Sequence, residues 1–343
     1  MPDPARQPKG KRRVVISPYQ YQKRPTEAEI ASFAERGYVK LKGFLSAAEV
    51  ARLRGAMDDA IASLSSSPNG YDVTAAADAF WTPQAANDDQ GSDQHDLVAL
   101  AQAVRSSTMP RLVDAAVAGR PRGKFLLDTS VWRRIPVLAR FALASALPRG
   151  ASDLLGCSTI RYYDDQMFVK EPGAVDRAAF HQDISYFNLD GEAGCVFWIP
   201  LDRVVEGGGR MGYVPGSHRW DSIYKPNIFV SALPFPGSEG ADMPRIDTDP
   251  AAYGVNYIDV EPGDVIVHHF RTIHGSEGNR GSASRRAFSL RYCDAALRFR
   301  LRPGAPLQPL HKQGMADGDP LDDAMHPVAW PSNDDARHER HTA

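Results

Sequence analysis

Two spacings of apolar residues divide the chain. Through residues 26–64 they recur at three- and four-residue intervals. Ile30 and Phe33 belong to one stretch; Val50, Leu53, Met57, Ile61 and Leu64 belong to the next. That spacing predicts two amphipathic helices. Each stretch opens on a capping box, Thr26-Glu27-Ala28-Glu29 and Ser46-Ala47-Ala48-Glu49, in which hydroxyl and carboxylate satisfy first-turn N–H groups reciprocally. Gly37 ends the first helix, and residues 38–41 alternate as a short strand that turns at Gly43. Neither helix has a face apolar enough for a central position, so both are expected on the outside of a sheet. Residues 1–25 read as an extended arm. Residues 65–95 read as a polar loop or partly ordered insertion with Tyr71, Phe80 and Trp81 embedded, long enough to serve as a lid. Residues 96–149 read as helices broken at Pro110, Pro121 and Pro136.

From residue 158 the period falls to two. Candidate strands run over 158–163, 166–170, 180–187, 195–201, 210–214, 264–269 and 286–292, with Gly- and Pro-bearing turns between them. Many short strands suggest a sandwich or barrel. Helices first and strands later predict an α+β fold in which N-terminal helices buttress a jelly roll. One domain is expected over residues 26–310, helical over 26–150 and jelly roll over about 151–300. Residues 311–343 are expected to lie as an extended tail, with His326, His338 and His341 solvated.

Composition narrows the partners. The chain has 343 residues and a net charge of −2, so bulk electrostatics suggest neither a nucleic-acid nor an anionic-membrane partner. The basic run at residues 9–13 sits in the polar arm and reads as solvated. Three widely spaced cysteines give no disulfide or zinc pattern. The N-terminal segment is charged, without an apolar core of its own, and no stretch approaches a membrane span. A cytoplasmic location is the expectation.

The candidate chemistry lies in the β half. On a strand, residues two apart share a face, so His181 and Asp183 would offer an imidazole and a carboxylate to one metal ion. A His-X-Asp pair alone is weak, because a locally hydrogen-bonded histidine and aspartate look the same. His274 adds a third donor, and two imidazoles plus one carboxylate are the ligand set of non-haem Fe(II) oxygenases. His268 and His269 compete for that third position. They lie inside an apolar strand and read better as satisfied core histidines. Eleven residues beyond His274 stands Arg285, whose guanidinium fork matches a carboxylate. Arg285 would share a face with Ala287 and Ser289, and Arg286 with Phe288 and Leu290. Arg291 and Arg298 read as solvated.

These residues carry a family resemblance. Phe180-His181-Gln182-Asp183-Ile184, Val214-Pro215-Gly216-Ser217-His218-Arg219, Pro262-Gly263-Asp264, His274-Gly275-Ser276 and Arg285-Arg286-Ala287-Phe288-Ser289 resemble the phytanoyl-CoA dioxygenase family of Fe(II)/2-oxoglutarate-dependent oxygenases. The resemblance covers roughly residues 26–64 and 158–293. It implies a double-stranded β-helix (the jelly roll) with iron held by His181, Asp183 and His274. It further implies that Arg285, helped by Ser276, binds the distal carboxylate of the co-substrate 2-oxoglutarate, and that Trp198 lines the co-substrate pocket. Gln166, Phe168 and Lys170 share a strand face bordering the same pocket. The implied reaction consumes O2, releases succinate and CO2, and hydroxylates an unactivated C–H bond. A carboxylate at Asp183, where related halogenases carry a small residue, favours hydroxylation.

Three alternatives remain at this stage: an acyl-CoA 2-hydroxylase of the same family, a cupin-type metalloenzyme and a non-catalytic jelly-roll binding protein. Both Arg285 and Ser276 would be idle in a cupin. An acyl-CoA enzyme would want a basic surface for nucleotide phosphates, and residues 9–13 fit that poorly. A small-molecule metabolite is therefore the expected substrate. Tyr71, Phe80, Trp81, Tyr186, Phe187, Trp220 and Tyr224 could wall its pocket, although each taken singly reads as packing.

Overall fold

The structure is a computed structural model that describes residues 23–81, 102–104, 106–116, 119, 121–305 and 314–331. The basic run at residues 9–13, residues 82–95 of the expected lid, His338 and His341 lie outside the described residues.

Both capping boxes form. Helix α1 (Glu27–Arg36) starts where Thr26 N–H donates to Glu29 at 2.7 Å, and helix α2 (Ala47–Ala62) where Ser46 N–H donates to Glu49 at 2.8 Å. Gly37 closes α1 with φ 79° and its N–H bonded to Phe33 O at 2.8 Å. A Cβ there would stand 2.4 Å from His218 Nδ1, so glycine is needed for space as well as conformation.

Thirteen residue ranges make up most of the β structure: β1 Tyr38–Leu41, β2 Tyr71–Asp72, β3 Phe125–Thr129, β4 Ile160–Lys170, β5 Ala178–His181, β6 Leu189–Asp190, β7 Gly194–Pro200, β8 Met211–Tyr213, β9 Asn256–Ile258, β10 Val265–His269, β11 His274–Ser276, β12 Arg285–Asp294 and β13 Arg298–Phe299. A further strand, β14, spans Val328–Trp330. The large sheet runs β1-β10-β7-β12-β4-β3-β2, with β14 beside β4, and a smaller sheet runs β5-β11-β8-β9. All these pairs are antiparallel. The two sheets face one another as a jelly roll, the expected α+β architecture.

The strands of the large sheet read as continuous apolar runs because both faces are covered. Phe197, Ile199, Phe288 and Leu290 point outward onto Phe33, Leu53, Met57, Leu138 and Leu147 of the helical layer. Trp198 and Ala287 point inward, toward Met211 and Tyr213 of the small sheet. Phe288 is fully buried on the helical side. Phe288→Ala is expected to cost about 3–5 kcal/mol, read by urea denaturation, without altering any inward-facing group.

Three expectations are corrected. Residues 125–129 form a strand rather than part of a helical region. Their side chains split between the helical side (Leu126) and the interior (Phe125, Leu127), which a sheet edge rewards and helical spacing cannot supply. Residues 71–81 are not loop: Tyr71–Asp72 pairs with β3, and helix α3 (Val73–Trp81) follows. The tail is only partly extended. Strand β14 pairs with β4, and His326 is buried, its ring stacked 4.9 Å from Tyr163 and its Nδ1–H donating to Tyr163 O at 2.9 Å. Among the described residues no helix is long and apolar enough to cross a membrane.

Candidate active site

Strand β5 ends at His181, earlier than expected, and Asp183–Tyr186 is a 3-10 turn. The shared face survives because Gln182 stays extended (φ −106°, ψ 134°). Gln182 itself points away, fully buried, donating to Arg271 O at 2.9 Å and accepting from Tyr224 N at 3.1 Å. On the other side of His181, antiparallel register sets His274 of β11 directly opposite, ring centroids 4.4 Å apart. One ligand atom from each of His181, Asp183 and His274 lies within 4.8 Å of the others.

The hydrogen bonds fix which nitrogens are free. His181 Nδ1 lies 2.7 Å from Ala179 O, and His274 Nδ1 2.9 Å from Thr272 O. A carbonyl only accepts, so both Nδ1 atoms carry a proton, and in the neutral ring that leaves the lone pair on Nε2. Those Nε2 atoms stand 3.7 and 3.9 Å from the Asp183 oxygens, too far for a good hydrogen bond and close enough for one ion to touch all three. Burial holds His274 well below the usual imidazole range. Burial pushes the Asp183 carboxyl up, but His274, His181 and His268 together outweigh it and hold it well below the carboxylate range. A neutral imidazole and an ionised carboxylate are the forms a metal requires.

Neither rival histidine joins the triad. His268 Nε2–H donates to Asp183 Oδ2 at 3.1 Å, while its Nδ1 lies 3.3 Å from the Tyr213 hydroxyl. It orients the carboxylate from behind. His269 faces the other way, against Phe33 and His218.

Arg285 is 2% exposed on β12. Its guanidinium lies 4.6 Å over the Trp198 ring and 3.2 Å from the Met211 sulfur, its Nε has no hydrogen-bond partner, and burial pushes it down to about 10. Ser276 accepts at 2.9 Å from Lys170, which is fully buried, donates to Glu277 O at 2.6 Å and stands directly opposite Arg285 across the sheet. Burial, then the neighbouring guanidinium, hold the Lys170 ammonium well below its usual range. A buried guanidinium with an unfilled donor fits an incoming carboxylate, and Lys170, by donating to Ser276, leaves the serine's own hydrogen free to point at it.

Gln166 lines the same cavity, yet its oxygen accepts from Arg291 rather than serving the Arg285 end. Arg291 corrects the sequence reading: it is 6% exposed and faces the cavity. The signal was available, since Arg285, Ala287, Ser289 and Arg291 follow one another at a period of two. The cavity measures about 700 Å³ and takes in the triad, Arg285, Ser276 and Trp198.

The Phytanoyl-CoA dioxygenase (PhyH) family profile matches residues 33–287. The chain belongs to this family. A Caenorhabditis elegans protein described as a probable phytanoyl-CoA dioxygenase is 25% identical over 174 residues, 46% of this chain and 51% of that protein. The chain thus spans about half the length of the curated relative it matches. Among solved structures, the epimerase SnoN in complex with Fe3+, alpha ketoglutarate and nogalamycin RO superposes with a TM-score of 0.60 at 20% identity, over 88% of this chain and 98% of that one. The non-heme alpha ketoglutarate dependent carbocyclase SnoK from nogalamycin biosynthesis gives 0.57 at 21% identity, over 89% and 96%. EctD from S. alaskensis with 2-oxoglutarate and 5-hydroxyectoine gives 0.53 at 17% identity, over 90% and 86%. At these identities the likeness is one of fold.

Proposed function

We propose that this protein is an Fe(II)- and 2-oxoglutarate-dependent oxygenase that oxidises a C–H bond of a small-molecule metabolite, most simply by hydroxylation. The observation that carries the reading is the triad of His181, Asp183 and His274, whose donor atoms converge within 4.8 Å. Iron with a 2-oxo acid and O2 supplies oxidative decarboxylation, giving succinate and CO2, coupled to oxidation of the substrate.

The chain's own residues position and exclude. His181 and His274 present Nε2 because backbone carbonyls occupy Nδ1. His268 holds Asp183 in place. Arg285 would take the distal carboxylate of the co-substrate, with Ser276 donating beside it and Trp198 flooring the guanidinium. Buried apolar walls keep water from the reacting centre.

Two measurements bear on this assignment. With Mn(II) standing in for iron, 2-oxoglutarate at about 100 times its Kd is expected to add roughly 2.7 kcal/mol of stability, seen as a raised Tm. At equal concentration 2-oxobutyrate, which lacks the distal carboxylate, should add far less; equal shifts would remove Arg285 from the account. His268→Ala is expected to lower metal affinity by roughly 10- to 100-fold, read by metal titration, while leaving the fold's denaturation midpoint near that of the parent.

A further inference from the structure

We propose that Arg291 is the recognition point for a carboxylate on the primary substrate, and that the substrate is an apolar, ring-bearing monocarboxylic acid. The inference rests on the oxygenase reading above and extends it to substrate class.

Arg291 is a buried guanidinium with too few partners. Its Nε has no hydrogen-bond partner, one terminal nitrogen donates to Gln166 Oε1, and the group lies 4.9 Å over the Phe187 ring. Among the described residues no carboxylate is ion-paired with it. Its cross-strand neighbour Asp164, which lines the same cavity, accepts from Ser130 Oγ at 2.9 Å. A buried cation left this way is costly unless an anion arrives with a ligand. The co-substrate has two carboxylates, one assigned to the metal and the other to Arg285, so neither is left for Arg291.

Register places the group. His268, Val196 and Arg291 lie on one cross-strand row of the large sheet, so Arg291 starts roughly 10 Å from the strand that backs Asp183. Along β12 it is six residues from Arg285, roughly 20 Å. A carboxylate held there sits beside the metal end of the cavity, and the oxidised carbon is a different part of the same molecule. Gln166 accepts from Arg291 through its oxygen, and its amide nitrogen remains a second donor for the ligand.

The rest of the cavity defines the body of the ligand. Phe229 adopts φ 66°, a strained conformation for a bulky residue. It is held there by its N–H to Asn227 Oδ1 at 3.0 Å, with Asn227 bonded in turn to Tyr186 and to Phe180 O. The strain sets the Phe229 ring 5.5 Å from His181 and 6.3 Å from Phe168. Phe80, Trp81 and Phe235 continue that apolar wall. Among the described residues Arg285 and Arg291 are the cavity's arginines and no lysine lines it. One free guanidinium suits a single carboxylate and leaves the several phosphates of a nucleotide-bearing thioester unmatched.

The test uses the full chain loaded with Mn(II) and saturating 2-oxoglutarate. Benzoate, 3-phenylpropanoate and 2-naphthoate are titrated calorimetrically against their primary amides. At least one acid is expected to bind at least ~10-fold tighter than its amide. Arg291→Met should erase that preference while changing 2-oxoglutarate affinity less than about twofold. Acids and amides that bind alike, or no binding by either, would overturn the proposal. So would a loss of 2-oxoglutarate affinity in Arg291→Met, which would assign the arginine to the co-substrate. The acid-against-amide comparison needs only the unaltered protein, so a misfolded variant does not remove the test. Failure of 2-oxoglutarate itself to bind would refute the oxygenase reading and this inference together; co-substrate bound without an acid preference refutes this inference alone.

Discussion

Asp183→Ala is expected to abolish metal binding at the triad and all turnover of 2-oxoglutarate. The carboxylate is the one anionic donor among the three ligand residues, and its loss leaves two neutral imidazoles, His181 and His274, facing a divalent cation. Losing an outer-shell partner of a metal ligand costs roughly 10- to 100-fold, and loss of the ligand itself should exceed that range. Metal titration by calorimetry reads the affinity, and succinate formation reads the turnover. The fold should persist, because Asp183 begins a 3-10 turn at the end of β5 and contributes no side chain to the hydrophobic clusters. Retention of parental metal affinity would place the ion elsewhere.

Arg285→Met should separate binding from stability. Truncating one partner of a buried, hydrogen-bonded charge pair costs about 2–5 kcal/mol, so the Kd for 2-oxoglutarate is expected to rise by roughly 30- to several thousand-fold. The unliganded protein should be no less stable, and could gain stability, because the substitution removes a buried guanidinium that has no carboxylate partner until the co-substrate arrives. Arg286→Met supplies the contrast. Arg286 lies on the opposite face of β12, paired with Asp202 at 2.9 Å and Asp58 at 3.1 Å. Its loss should leave 2-oxoglutarate affinity unchanged and lower stability by up to about 1 kcal/mol. Calorimetry and urea denaturation on the same two variants check both halves.

The parts of this account legible in the sequence were those set by local chemistry or by strict period. Thr26 and Ser46 announce their helices because a capping box is closed within four residues. Arg285 and Arg286 separate onto opposite faces because a strand alternates. The jelly roll follows from many short strands after a helical start. What was missed depended on distant partners. Phe125–Thr129 becomes a strand because the edge of β4 is there to receive it, and nothing within five residues says so. Val328–Trp330 and His326 are drawn in by β4 and Tyr163, more than 150 residues away. Arg291 was misread for the opposite reason: its period with Arg285 was plain, but a charged residue near the end of a strand reads as solvated until the sheet across from it is known. Pairing of His181 with His274 likewise needs the register of β5 against β11, whereas Lys170 was placed on the pocket's face without its bond to Ser276 being visible.

The central claim is that one site binds both the metal and a chelating 2-oxo acid. Under anaerobic conditions, Fe(II) is added to the protein and then 2-oxoglutarate, with absorbance followed in the visible region. The account predicts a weak metal-to-ligand charge-transfer band that saturates at one equivalent of iron. It should be absent in Asp183→Ala and require much higher 2-oxoglutarate in Arg285→Met. Iron that binds at His181, Asp183 and His274 without giving that band would contradict it.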